Sequence, residues 1–205
     1  MTFRKWLPVV LLLVLAVLVV SLPTSSAAPA AGKSRHVLII AIDGGMPSAI
    51  KKAKTPNLKA LATGGTATWD GFAGGVLGTP SRQNTASLAS YHSIFTGVWG
   101  NKHRGTRMRK GRPLPADHRN YPMIFQRIKK VTPKARCSSI VTWPRINWVM
   151  VPGADHKAQG KGDAGTTALV VKELAEQDPT VLFVQLDEVD GAGHKNNYGP
   201  NIPPY

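Results

Sequence analysis

His36-Val-Leu-Ile-Ile-Ala-Ile42, cut short by Asp43-Gly44-Gly45, is a continuous apolar run that ends on a turn. Without alternation and rich in β-branched residues, it reads as a strand buried on both faces, the signature of a parallel sheet. Two more runs share that reading, Cys137 to Thr142 and Thr180 to Leu186. Helical segments fall between them. Thr55-Pro56-Asn57-Leu58 opens one, with Thr as N-cap, Pro at the first position and Gly64-Gly65 as the close. Ser87 to Phe95 reads as a second, starting at a serine; Tyr121 to Lys130 suits an amphipathic third, and Asp163 to Gln177 a fourth. Strands alternating with helices predict an α/β domain, a three-layer sandwich around a largely parallel central sheet.

The 205 residues suffice for one domain with a proper core. Apolar residues at 42% against 18% charged exclude a disordered chain. With 26 basic and 11 acidic side chains the net charge is +15, which favours anionic partners or is simply a basic surface. The most basic stretch, Lys102 to Arg119, has only Met108 and Leu114 as large apolar side chains and no aromatic ring to stack on bases. It reads as a solvated loop, and a nucleic-acid partner is not expected. The single cysteine, Cys137, excludes an internal disulfide and a thiolate zinc site, and reads as an inert buried thiol. Any metal therefore needs Asp, Glu, His or hydroxyl ligands.

Arg4 and Lys5 precede the apolar stretch Val9 to Val20, and Ser25-Ser26-Ala27-Ala28 follows. That is the layout of a secretory signal peptide, cleaved after Ala27, or of an uncleaved N-terminal anchor. Residues 1–31 are therefore assigned to targeting and 32–205 to the mature domain, secreted or held in the periplasm or cell envelope. Membrane contact is expected only through the N-terminal segment, if it stays uncleaved.

Ligand sites in open α/β sheets gather beyond the carboxyl ends of strands. Asp43 follows the first strand, Ser87 opens a helix, and Asp190-Gly-Ala-Gly-His194 follows the third strand. Taken singly, an Asp-Gly is usually a turn and a serine before a helix an N-cap. Asp190 and His194, separated by a short Gly-containing loop, can converge on one divalent ion, and zinc suits such nitrogen and oxygen ligands.

In combination these stretches resemble the type I phosphodiesterase/nucleotide pyrophosphatase branch of the alkaline phosphatase superfamily. The resemblance rests on Val37 to Gly44 with Thr55-Pro56-Asn57-Leu58, on Ser87-Leu-Ala-Ser-Tyr-His-Ser-Ile-Phe-Thr-Gly97 continuing through Lys102-His103, and on Val181 to His194 with Tyr198-Gly199-Pro200. It covers residues 36 to 205 in order. It implies an alkaline phosphatase-like fold, represented by its amino-terminal half and incomplete at the C-terminus. Counting back from Thr96-Gly97 implies Ser87 as nucleophile, with Thr85 as fallback. Asp43 and Ser87 would sit on one divalent metal ion and Asp190 and His194 on a second, both zinc. Leu88-Ala89-Ser90-Tyr91 departs from the family's pattern after the nucleophile, and Ser90 would replace the missing amide that binds a substrate oxygen. Pro80-Ser81-Arg82 hints at a sulfatase relative, but no formylglycine precursor stands where that motif needs one.

The implied function is metal-dependent hydrolysis of a small phosphate ester through a phosphoseryl intermediate; the substrate could be a monoester, diester, pyrophosphate or sulfate. The family completes its metal sites with an Asp-His pair and another His. Asp117-His118 and Asp155-His156 are expected to be solvated rather than to supply them, and His103 to be structural. Alone, the chain would offer two ligands per metal and fall short of a working two-metal site. The alternative is a non-catalytic, secreted basic remnant that binds phosphorylated or polyanionic ligands.

Overall fold

A computed structural model describes residues 36–205 except 106, 107, 110, 111, 114, 115, 150 and 204; the targeting segment lies outside the described residues. In chain order the elements are β1 (Val37–Ile42), α1 (Pro47–Lys52), α2 (Pro56–Gly64), α3 (Ser87–Thr96), α4 (Gly100–His103), β2 (Met108–Arg109), β3 (Arg112–Pro113), α5 (Ile124–Val131), β4 (Cys137–Val141), α6 (Arg145–Val149), β5 (His156–Gln159), α7 (Gly162–Glu176), β6 (Val181–Leu186) and α8 (Glu188–Asn196). The main sheet is four-stranded, all parallel, in the order β1-β6-β4-β5, with helices on both sides.

The register decides where chemistry can occur. Val37 and Cys137 both stand opposite Val181, and Ile42 stands opposite Leu186. β1 and β6 therefore finish level and β4 one residue earlier, and the residues that follow them, Asp43, Asp187 and Thr142, arrive at one rim.

Alternate residues of each strand point to opposite faces. Val181 and Phe183 join Cys137 and Val141 in the larger core, packed with Tyr91 and Phe95 of α3 and with Phe125 of α5. Phe183 is central, 4.6 Å from the Phe95 ring and edge-on to Tyr91 at 6.3 Å. On the other face Ile140, Leu182 and Val184 pack with Val170 of α7. Cys137 is fully buried, as expected, and burial pushes its thiol up.

β1 corrects the sequence reading. It is an edge strand, not one buried on both faces: Leu38 is 47% and Ile40 53% exposed. Their register partners Leu182 and Val184 are covered by α7, which packs on β4 and β6. An apolar run reports capacity for burial, not which neighbours arrive. Lys102 to Arg119 is likewise more than a loop, since it ends α4 and contains the antiparallel pair β2–β3. β5, His156-Lys-Ala-Gln159, was missed because its side chains alternate between half-buried and exposed at the opposite edge.

α3 shows why Thr96-Gly97 marks a helix end. Gly97 adopts φ 70°, the left-handed conformation glycine takes without penalty, and its N–H bonds the Ser93 carbonyl. No helix among the described residues is long and apolar enough to cross a membrane.

Candidate metal and nucleophile site

Asp43 leaves β1 into a tight turn in which Gly44 has φ 72°, and its N–H donates to the Asp43 carboxylate (3.1 Å). A Cβ on Gly44 would lie 2.7 Å from the Asp190 Cα, so only glycine lets the β1 turn approach α8 this closely. Ser87 is the first residue of α3, its N-cap being Ala86. Its hydroxyl does not cap the helix but donates to Asp43 Oδ1 at 3.4 Å. The first amides of any helix lack carbonyl partners within it, so α3 brings donors and the positive end of a dipole beside Ser87.

Asp190 and His194 are not joined by a loop, as their glycines suggest. They lie one turn apart on α8, with His194 Nε2 3.2 Å from Asp190 Oδ2. Helical i,i+4 spacing puts both on one face despite the glycines between them. Tyr198 folds back so that its hydroxyl donates to Asp190 Oδ1 (2.7 Å), its ring lying where a Gly193 Cβ would be. Burial and the bond to Asp190 push the Tyr198 hydroxyl up to about 12, so it remains a donor at neutral pH.

Asp43, Ser87, Ser90, Asp190 and His194 all line one cleft of about 790 Å³, with Thr85 and Tyr198 in the same wall. The fold thus gathers every sequence-selected site residue. Ser90, in the same wall, donates its hydroxyl to the Thr85 carbonyl at 3.4 Å.

One acid was missed. Carboxylate oxygens of Asp43, Asp187 and Asp190 all lie within 4.8 Å of one another. Asp187 follows β6 directly, the position Asp43 occupies after β1, and the matched register of those strands was the available signal. In a chain of net charge +15, five of eleven acidic residues (Asp43, Asp163, Asp187, Glu188 and Asp190) stand at this rim. The crowding shows in their acidity: burial first, then the Asp190 charge, raises the Asp43 carboxyl above its ordinary value. Burial likewise raises Asp187, with Asp190 and Asp163 adding to it. Asp43 Oδ2 is buried with no partner at hydrogen-bond distance, although the carboxylate is close enough that burial and its charge together raise the Tyr91 hydroxyl. Converging carboxylates with an orphaned buried oxygen suit a divalent cation with oxygen ligands, and His194 adds a nitrogen within reach of Asp190.

Asp163 holds the assembly from behind. Its carboxylate accepts from the amides of Asp187 (2.7 Å) and Glu188 (3.0 Å) and from the Thr142 hydroxyl (2.7 Å), fixing the start of α8. Asp163→Ala strips three donors of their acceptor while relieving some repulsion on Asp187. The unpaired donors dominate, and a loss of about 2 kcal/mol is expected in urea unfolding. Divalent-ion affinity should fall about tenfold or more, as when an outer partner of a ligand is removed.

The other acid–histidine pairs do not line this cleft, and they are more than solvated: the His118 ring nitrogen Nε2 is buried without a partner. Asp155 accepts the Cys137 amide and pairs with Lys129, while His156 lies 3.8 Å from Glu173. Asp117 caps Asn120. His92 stacks on both His103 and His118, at 5.5 and 5.7 Å. His103 is fully buried, taking the Gly105 amide at Nδ1 and meeting Ser93 Oγ at Nε2 (3.0 Å), and burial lowers it to about 4.

No family model, curated protein or solved structure matches the chain.

Proposed function

We propose that this chain is a metal-dependent phosphoric ester hydrolase with an alkaline phosphatase-like fold, acting through Ser87. The observation that carries this reading is the convergence, at one sheet rim, of a helix-N-terminal serine with the Asp43–Asp187–Asp190 carboxylates, one of whose oxygens is buried and unpaired. Asp43, Asp187, Asp190 and His194 would hold the cation, Asp187 supplementing the ligands drawn from the resemblance. A bound divalent ion, zinc or manganese, would offset negative charge on the phosphoryl oxygens and lower the pKa of an attached hydroxyl.

The protein's own residues do the rest. Asp43 Oδ1 orients the Ser87 hydroxyl and stands where its proton would go. The Ser87 oxygen attacks phosphorus as its proton passes to Asp43, the bond to the leaving group breaks with that oxygen taking a proton from water, and the phosphoryl group rests on Ser87. Water then releases phosphate and restores the hydroxyl. The first amides of α3 face the charge that develops on the phosphoryl oxygens, where the helix dipole favours an anion. With Asp187 added, these residues would suffice for one cation and transfer to Ser87, whereas the second metal of the family's pair would need ligands beyond them. Secretion and the small phosphate ester substrate belong to the same proposal.

Thermal unfolding of the full chain tests it. Inorganic phosphate should raise the midpoint in the presence of manganese or zinc and leave it unmoved in chelator. Equal stabilisation by phosphate with and without the cation would favour the basic, polyanion-binding alternative, for which the +15 net charge is the supporting feature.

A further inference from the structure

Beside the acid–serine cleft lies a second cleft, of about 490 Å³, between α1, α2 and the segment Gly199 to Tyr205. The two share Ile42, Gly45 and Met46, so the turn that carries Asp43 is their common wall. Most of the remaining annex lining is apolar, including Ala49, Ile50, Leu58, Val189 and Ile202, and the Thr55 hydroxyl there already donates to the Ile50 carbonyl. Its charged wall residue, Lys52, has its ammonium on the Asn201 amide oxygen at 2.6 Å. Tyr205 stands at the shared wall: its hydroxyl accepts from the Met46 amide (3.1 Å) and donates to the Gly44 carbonyl.

We propose that this annex is the subsite for the apolar substituent of the phosphate ester, an alkyl chain entering across Gly45 while the phosphoryl group stays at Ser87. The inference rests on the phosphate-ester reading and adds the substrate class, esters of hydrophobic alcohols. The volume is in the range of clefts that bury a small organic ligand. A sugar or nucleobase would leave most of its polar edge unmatched on such walls, whereas an alkyl chain loses nothing there.

The test uses the full chain with manganese and titrates ethyl, butyl, hexyl and octyl phosphate by calorimetry. Affinity is expected to rise about fourfold per methylene, the equivalent of about 0.8 kcal/mol, hence roughly 200-fold from butyl to octyl. Ala49→Phe, which fills the annex from α1 without touching the acid cluster, should return octyl phosphate to the butyl level and leave ethyl phosphate unchanged. Ala53→Leu, at the exposed end of the same helix, gives a second and gentler filling. Equal affinity across the series, or a chain-length dependence that survives both fillings, overturns the subsite. Octanol binding as tightly as octyl phosphate, with the dependence still abolished by Ala49→Phe, upholds the apolar annex and overturns the phosphate-ester reading instead.

Discussion

Asp43→Asn is expected to make the metal-free protein more stable at pH 7 while abolishing its response to divalent cations. The wild-type Asp43 carboxyl ionises at a higher pH in the folded chain than the ordinary 3.8 it keeps when unfolded. The folded state thus binds that proton more tightly, and the ionised carboxylate costs stability at neutral pH. The cost shrinks as pH falls from the folded value toward 3.8 and is gone below it, so the advantage of the variant should shrink on acidification. Asparagine keeps an oxygen for the Gly44 amide and the Ser87 hydroxyl, and its NH₂ can donate to the neighbouring carboxylates. Comparing variant with wild type at each pH cancels the opposing effect of the buried histidines. Those lose stability as pH falls from 6.5 toward about 4, the value to which burial lowers His103. With cation at about a hundred times its dissociation constant, the wild type should gain about 2.7 kcal/mol, roughly 5–10 °C in midpoint, and the variant close to none. Calorimetric melting with chelator and with manganese reads both halves. A variant less stable than wild type without metal, or still stabilised by it, would contradict the carboxylate cluster as a cation site.

Ser87→Ala should reduce phosphoryl transfer from an activated aryl phosphate by at least about 10³-fold, because removing a nucleophile leaves only binding and electrostatic assistance. Stability and the cation-induced shift should persist, since none of the three carboxylates is altered. Ser87 donates to Asp43 at 3.4 Å, a long bond whose loss costs the fold little. Thr85 lies in the same wall and is the rival nucleophile. Thr85→Ala is expected to change the transfer rate less than tenfold. Stopped-flow release of 2,4-dinitrophenolate under single-turnover conditions separates the two, and a Thr85 effect exceeding that of Ser87 would reverse the assignment.

Most of the architecture was legible because strand cores and helix boundaries are local signals. Thr55-Pro56 opens a helix that runs Pro56–Gly64, and Thr96-Gly97 closes one through the left-handed glycine. Which strand lies at the edge was not legible, because the Leu38 and Ile40 side chains carry no mark of how far α7 reaches across the sheet. The site was legible in its members but not in its geometry. Glycines at 191 and 193 suggest a loop, yet Asp163 organises the first amides of α8 and the segment is helical. Asp187 escaped notice because its proximity to Asp43 depends on strand register, a property of the pair β1–β6 and not of either strand alone.

Whether Ser87 itself accepts a phosphoryl group decides the chemistry of this cleft. The full chain with manganese, mixed with 2,4-dinitrophenyl phosphate, quenched in acid and digested, should yield one phosphorylated peptide carrying the modification on Ser87, absent from Asp43→Asn. Dinitrophenolate released with Ser87 unmodified at every time point, or phosphate found on Thr85 instead, would contradict it.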